Sequence, residues 1–274
     1  MTAPLATPLT AASPAEVPLA NAPLARVIAQ VRFSEVLAIE SAETAAKFQA
    51  AIGHTYGVLT REQGFNSQIL IGASMQVGMP IQQRSMMHWR FADAPTDWQW
   101  RVTLTSQFLT LEVSRYTSRT EFFQRFEMLL EALQVLVKPA MTLRLGVRYI
   151  NRLAGNGLTD VARLVRPEIA GLLVTDMSTS AKHMQCETLF DVKEEACQMA
   201  VRCGLVPPNA LVEGLDAAFE QPWFLLDFDV FDDKAKSFEA QTTAVRARAF
   251  AQRSYGFFRW AVTDEFLRRY GGQP

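Results

Sequence analysis

Three arginines, Arg144, Arg148 and Arg152, recur every fourth residue in the segment RLGVRYINRL, which is otherwise fit for a protein interior. In an extended strand they share one face with Gly146 and Ile150. Leu143, Leu145, Val147, Tyr149, Asn151 and Leu153 share the other. Neighbouring arginines then stand roughly 13 Å apart, too far for three to clamp one small phosphate. Guanidinium groups pair bidentately with carboxylates and phosphates. The row therefore suits a line of contacts on an extended acidic partner, with Tyr149 and Asn151 in the same segment, or an internal ladder of ion pairs. The ladder has candidate rungs in WFLLDFDVF, where Asp227 and Asp229 lie on one strand face and can meet Arg148 and Arg152. The Asp pair could also hold a divalent cation, though no third carboxylate or histidine stands at a fixed spacing. Of these readings the internal ladder is the simplest.

Further arginines, Arg246, Arg248, Arg253, Arg259, Arg268 and Arg269, lie on the C-terminal helical segment and could extend a positive surface; a solvated helix face is the plainer account. A sulfur group comes next. If KEEA (193–196) is a hairpin loop, Val192 pairs with Cys197 and Cys186 stands opposite Cys203. Met184, Cys186, Cys197, Met199 and Cys203 then share a face that could bind a soft metal, form a disulfide or simply fill a core. His54, His88 and His183 form no metal-binding spacing, and no GxSxG, Walker-type or GxGxxG motif occurs. The sequence thus implies no cofactor and leans away from an enzyme.

These residues need a scaffold, and the composition provides for one. The 274 residues are 49% apolar and 20% charged with a net charge of −1, enough for a large core and without a global basic field for nucleic acid. No apolar run is long enough to span a membrane, and three cysteines without a CxxC fit a reduced, cytoplasmic protein. Five prolines up to Pro23 mark residues 1–20 as a disordered Pro/Ala-rich arm.

Strands are expected at 24–33, 67–79, 86–91, 98–105 and 108–116, and a helix at 41–52 capped by Ser41 and Gly53. Ser118 and Glu121 open a second helix with the apolar stripe Phe122, Phe126, Leu129, Leu133 and Leu136, which Pro139 ends. The arginine strand follows, then short helices broken at Pro167, strands at 182–192, 197–206 and 223–231, and a helical stretch over 236–270. Phe238 and Val245 are among its expected buried residues, and a kink at 254–256 or a restart at Thr263 is expected within it. The class is α+β: antiparallel sheet packed by helices, in two β-α-βββ-α halves, 21–140 and 141–274, alike in topology but without residue-level identity.

The ordered set NAPLARVIAQVRF, WQWRVTLTSQFLTLEVSRY, RLGVRYINRL and FFRWAVTDEFLRRYG resembles a sporadically distributed family of bacterial proteins of about this length, over roughly 21–271. The resemblance implies an accessory protein and no catalytic residue. The functional expectation is a non-enzymatic binding protein for a protein partner, such as a toxin or defence component, or for a second copy of itself. It would act through Arg144, Arg148, Arg152, Tyr149, Asn151, Arg246 and Arg253. The alternative is a nucleotide or nucleic-acid binder, or an enzyme holding a metal at Asp227 and Asp229.

Overall fold

The computed structural model describes residues 7–65 and 85–274, and the strand expected over 67–79 lies outside them. The chain forms two compact units that interleave along the sequence. The first holds Arg26–Val147 and Phe231–Ala249; the second holds the chain up to Ala25, Arg148–Val230 and Phe250–Pro274.

In the first unit β1 (Leu24–Phe33), β2 (Val58–Phe65), β3 (Ser85–Ala92), β4 (Trp100–Leu104), β5 (Phe108–Val113) and the leading part of β6 (Met141–Ala154) lie in the order β2-β3-β4-β5-β1-β6. Pairings along β2-β3-β4-β5-β1 are antiparallel. Short polar turns make this meander possible. The hydroxyl of Thr105 accepts from the backbone N–H groups of Gln107 and Phe108, and Asp93 accepts from that of Gln99. Strand β2 escaped the sequence reading because its residues are largely exposed, so no apolar alternation marks it.

Two helices cover the apolar side of this sheet. In α1 (Ala42–Ile52) the Ser41 side chain accepts from the Thr44 N–H, and Ala45, Phe48 and Ile52 are buried. In α2 (Arg119–Leu136) Ser118 accepts from the Glu121 N–H, and Phe122, Phe123, Phe126, Leu129, Leu130 and Leu133 are buried. The reciprocal half of the expected capping box is replaced: Glu121 accepts from Thr117 and Arg125 instead.

The second unit has the strand order β6-β9-β8-β7, with β7 spanning Cys186–Val192, β8 Cys197–Val206 and β9 Trp223–Asp232. Between β6 and β7 come short helices α3 (Asn156–Thr159), α4 (Val161–Leu164) and α5 (Pro167–Ala170). Proline opens α5 where its missing N–H costs nothing. After β9 a two-residue strand β10 (Lys236–Ser237) pairs with β6 in the first unit, and α6 (Ala240–Ala261) follows. The long helical stretch stops and restarts: the Thr263 hydroxyl accepts from the Phe266 N–H and opens α7 (Asp264–Arg269). Phe257 of α6 packs against Phe190 of β7 and Phe228 of β9. Val245, expected to be buried, is 57% exposed, and Phe238 precedes the helix.

The described part of the arm is packed. Ser13 donates to the Gln252 carbonyl, the Tyr255 hydroxyl bridges the Val17 N–H and the Ala15 carbonyl, and the Asn21 N–H donates to Tyr270. Polar groups of α6 act on its backbone, and the side chains of Val17 and Leu19 lie against Gly272.

Each unit is a meander whose last strand pairs with its first, β5 with β1 and β9 with β6. This is the α+β, antiparallel architecture that the alternating segments indicate.

Candidate functional site

The arginine row is neither a solvated face nor one cluster. Arg144 lies in the first unit, 7% exposed, with its guanidinium 4.6 Å from the ring centre of Phe231. Gly146 permits this. A Cβ there would lie 2.7 Å from Arg144 Nη1, so the absent side chain is where the guanidinium folds back.

Arg148, in the second unit, is 1% exposed and forms the centre of a charged network. Its Nε donates to Asp227 Oδ1 at 3.0 Å and its Nη2 to Oδ2 at 2.8 Å, a bidentate pair across β6 and β9. Arg202 of β8 donates to the same Oδ2 at 3.4 Å and to Glu187 of β7 at 3.0 Å. Glu213 stands 3.7 Å from Arg148 Nη1. Burial alone would lower the Arg148 pKa, but the attraction of Asp227, with Asp229 and Glu213, outweighs it and raises it. The guanidinium stays charged.

One rung of the expected ladder is therefore present, and the second differs. Arg152 has no carboxylate partner among the described residues; its guanidinium carbon lies over Phe219, 3.8 Å from the ring centre, and burial lowers its pKa. Asn151 turns from the row and donates to the Leu226 carbonyl, while Tyr149 is half-buried. Asp229 is fully buried. Arg246 pairs with Asp232 in the first unit at 2.7 Å. Arg253, 8% exposed, pairs with Glu195 and donates to the carbonyls of Pro8 and Ala11, so it anchors the arm.

Sequence reasoning missed Arg202, Glu187, Glu213, Asp232 and Glu195. Two of these were reachable: Cys186 opposite Cys203, as the register has it, also places Glu187 opposite Arg202.

The first unit holds a counterpart. Glu112 of β5 accepts from Arg26 of β1 at 3.3 Å and from Arg101 of β4 at 2.8 and 3.1 Å. Both guanidiniums lie over Trp98, at 4.3 and 4.1 Å. Arginine on the first strand, acid on the last and arginine on the one before recur as Arg26, Glu112 and Arg101, then Arg148, Asp227 and Arg202. Around the triads the strands share little beyond the charges: WRVTL (100–104) and VRCGL (201–205) have the Arg and the closing Leu in common, and FLTLE (108–112) and WFLLD (223–227) one Leu and the closing acid. The triad is thus a repeated structural device of this fold.

Asp227 is occupied by two guanidiniums, and among the described residues no group of three or more His, Cys, Asp or Glu could hold a metal ion. Nor is any described helix long and apolar enough to cross a membrane. Comparison with protein-family models, curated proteins and solved structures gives no match.

The open side chains lie elsewhere. Among the described residues β7 pairs with β8 alone, and Cys186–Leu189 and Asp191 are exposed. Leu189 is 46% exposed. Leu172, Val174 and Met177, in the segment before β7, are exposed as well. Gly171 brings that segment to the start of β7, since a Cβ on it would touch the Met184 sulfur at 3.2 Å.

Proposed function

We propose that this chain is a non-enzymatic protein-binding module that receives an extended, apolar segment of its partner alongside β7. The observation carrying this reading is the edge position of β7 among the described residues, with Leu189 exposed on it and Leu172, Val174 and Met177 exposed in the segment that leads into it. An edge strand offers a row of unpaired backbone N–H and C=O groups, and a partner strand satisfies them while alternate side chains find apolar contacts. Clustered exposed apolar side chains are the surface that such contacts need. The arginines enter as scaffold: burial and internal pairing take Arg148 and Arg253 from a partner's reach, and Arg246 is paired with Asp232.

Thiols outside disulfides fit work in a reducing cytoplasm, and the resemblance to bacterial accessory proteins fits a partner such as a toxin or defence component. The test is co-purification with wild-type protein and with a Leu172→Lys, Met177→Lys, Leu189→Lys variant whose melting temperature is unchanged. Loss of the wild-type partner supports the reading; retention by the folded variant sinks it.

A further inference from the structure

Cys186 and Cys203 are register partners across β7 and β8, with their side chains on one face. We infer that they form a reversible cross-strand disulfide site, closed by exchange with a small-molecule disulfide. Directly opposed residues of antiparallel strands have Cα atoms about 4.5–5.5 Å apart, within the range that a disulfide spans.

Exposure sets the order of events. Cys186 is exposed and Cys203 buried. Burial, with the neighbouring Cys186, pushes the Cys203 thiol up to about 12, so Cys186 is the entry point. The Cys186 thiolate attacks one sulfur of the small disulfide, forming a mixed disulfide and releasing one small thiol. Cys203 then loses its proton to solvent and attacks Cys186 Sγ. That bond closes the protein disulfide and expels the second small thiol. Two protein thiols are oxidised and one small disulfide is reduced to two thiols, so atoms and electrons balance.

Cys197 provides an internal control. It stands opposite Val192 at the far end of the hairpin, six residues from Cys203, roughly 20 Å along the strand. It cannot compete for either partner without unfolding the hairpin. The product would clamp β7, the strand proposed to receive the partner, to β8. That regulatory consequence rests on the strand-addition reading, whereas the chemistry does not.

The test needs no partner. Purified full-length protein is equilibrated with oxidised glutathione, alkylated, and mapped by mass spectrometry under non-reducing conditions. The expected product is lighter by two hydrogens, links the peptides of Cys186 and Cys203, leaves Cys197 alkylated, and reverts with dithiothreitol. Cys203→Ser should instead retain a glutathione adduct on Cys186, and Cys186→Ser should form no linked product. An adduct on Cys186 that never resolves in the wild-type protein, a dimer linked through Cys186, or three alkylated cysteines would each overturn the inference.

Discussion

Asp227 shows what a single buried residue can oblige its neighbours to do. Its carboxylate is fully buried and tolerable there only because Arg148 and Arg202 approach it. Replacing Arg148 with Met leaves that carboxylate without its bidentate partner, and the expected loss is about 3–5 kcal/mol in urea unfolding. The combined Arg148→Met, Asp227→Leu variant should recover most of it, because an apolar pair removes the cost of desolvating both charges. Asp232 gives a pH counterpart. Burial works to raise its pKa, but Lys236, the Lys234 N–H and Arg246 together lower it. A folded-state pKa below the unfolded one contributes stability above the unfolded pKa of about 4, and that contribution is lost as pH falls through the folded value. Acid titration of the melting temperature should show this decline, and Asp232→Asn should flatten it.

At the scale of elements, two strands and a helix cap carry the testable consequences. Gly204 in β8 has φ +151°, and a Cβ on it would collide with the Met184 carbonyl oxygen, which is backbone and cannot rotate away. Gly204→Ala should therefore loosen the entry to β7, read as faster hydrogen exchange across Cys186–Val192. Thr263 caps α7 and also donates to the Arg163 carbonyl, so Thr263→Ala should cost about 1 kcal/mol or more in thermal unfolding. Elements with local signatures were legible in the sequence: the Ser118 cap, the Thr263 restart and the Val192–Cys197 hairpin register are all present. Strand β2 was not, because an exposed strand such as Val58–Phe65 has no apolar rhythm to read. Val245 misled for the converse reason, since apolar residues also occupy solvent faces.

Across the whole molecule, the two units share more than an order of elements. Arg26–Glu112–Arg101 and Arg148–Asp227–Arg202 occupy matching strands of their meanders. From sequence the halves resembled each other only in topology, because the matching residues are separated by loops of unequal length and the triads become visible only once strand order is known. Asp227 as an answer to Arg148 was legible, since both stand in apolar strands that could not leave a charge unmet. Arg152 was not, because stacking on Phe219 leaves no charge pattern to read. At this scale the expectation concerns ligands: nucleotides with Mg²⁺ or Mn²⁺ should leave the melting temperature unchanged, as Arg148 and Asp227 already satisfy each other.

The arm has a consequence for how this chain can evolve. Its ties at Pro8, Ala11, Ala15 and Val17 use main-chain atoms, with Ser13 the side-chain contribution among these bonds. Side-chain identity is therefore weakly constrained where the arm offers only a carbonyl, whereas Val17 and Leu19, which lie against Gly272, and Arg253 and Tyr255, which hold it, are not interchangeable. Sequence drift should concentrate at positions such as Pro8, Ala11 and Ala15, whose carbonyls any residue supplies, and spare Val17, Arg253 and Tyr255; Val17→Pro should undock the arm, whereas Ala11→Ser should not.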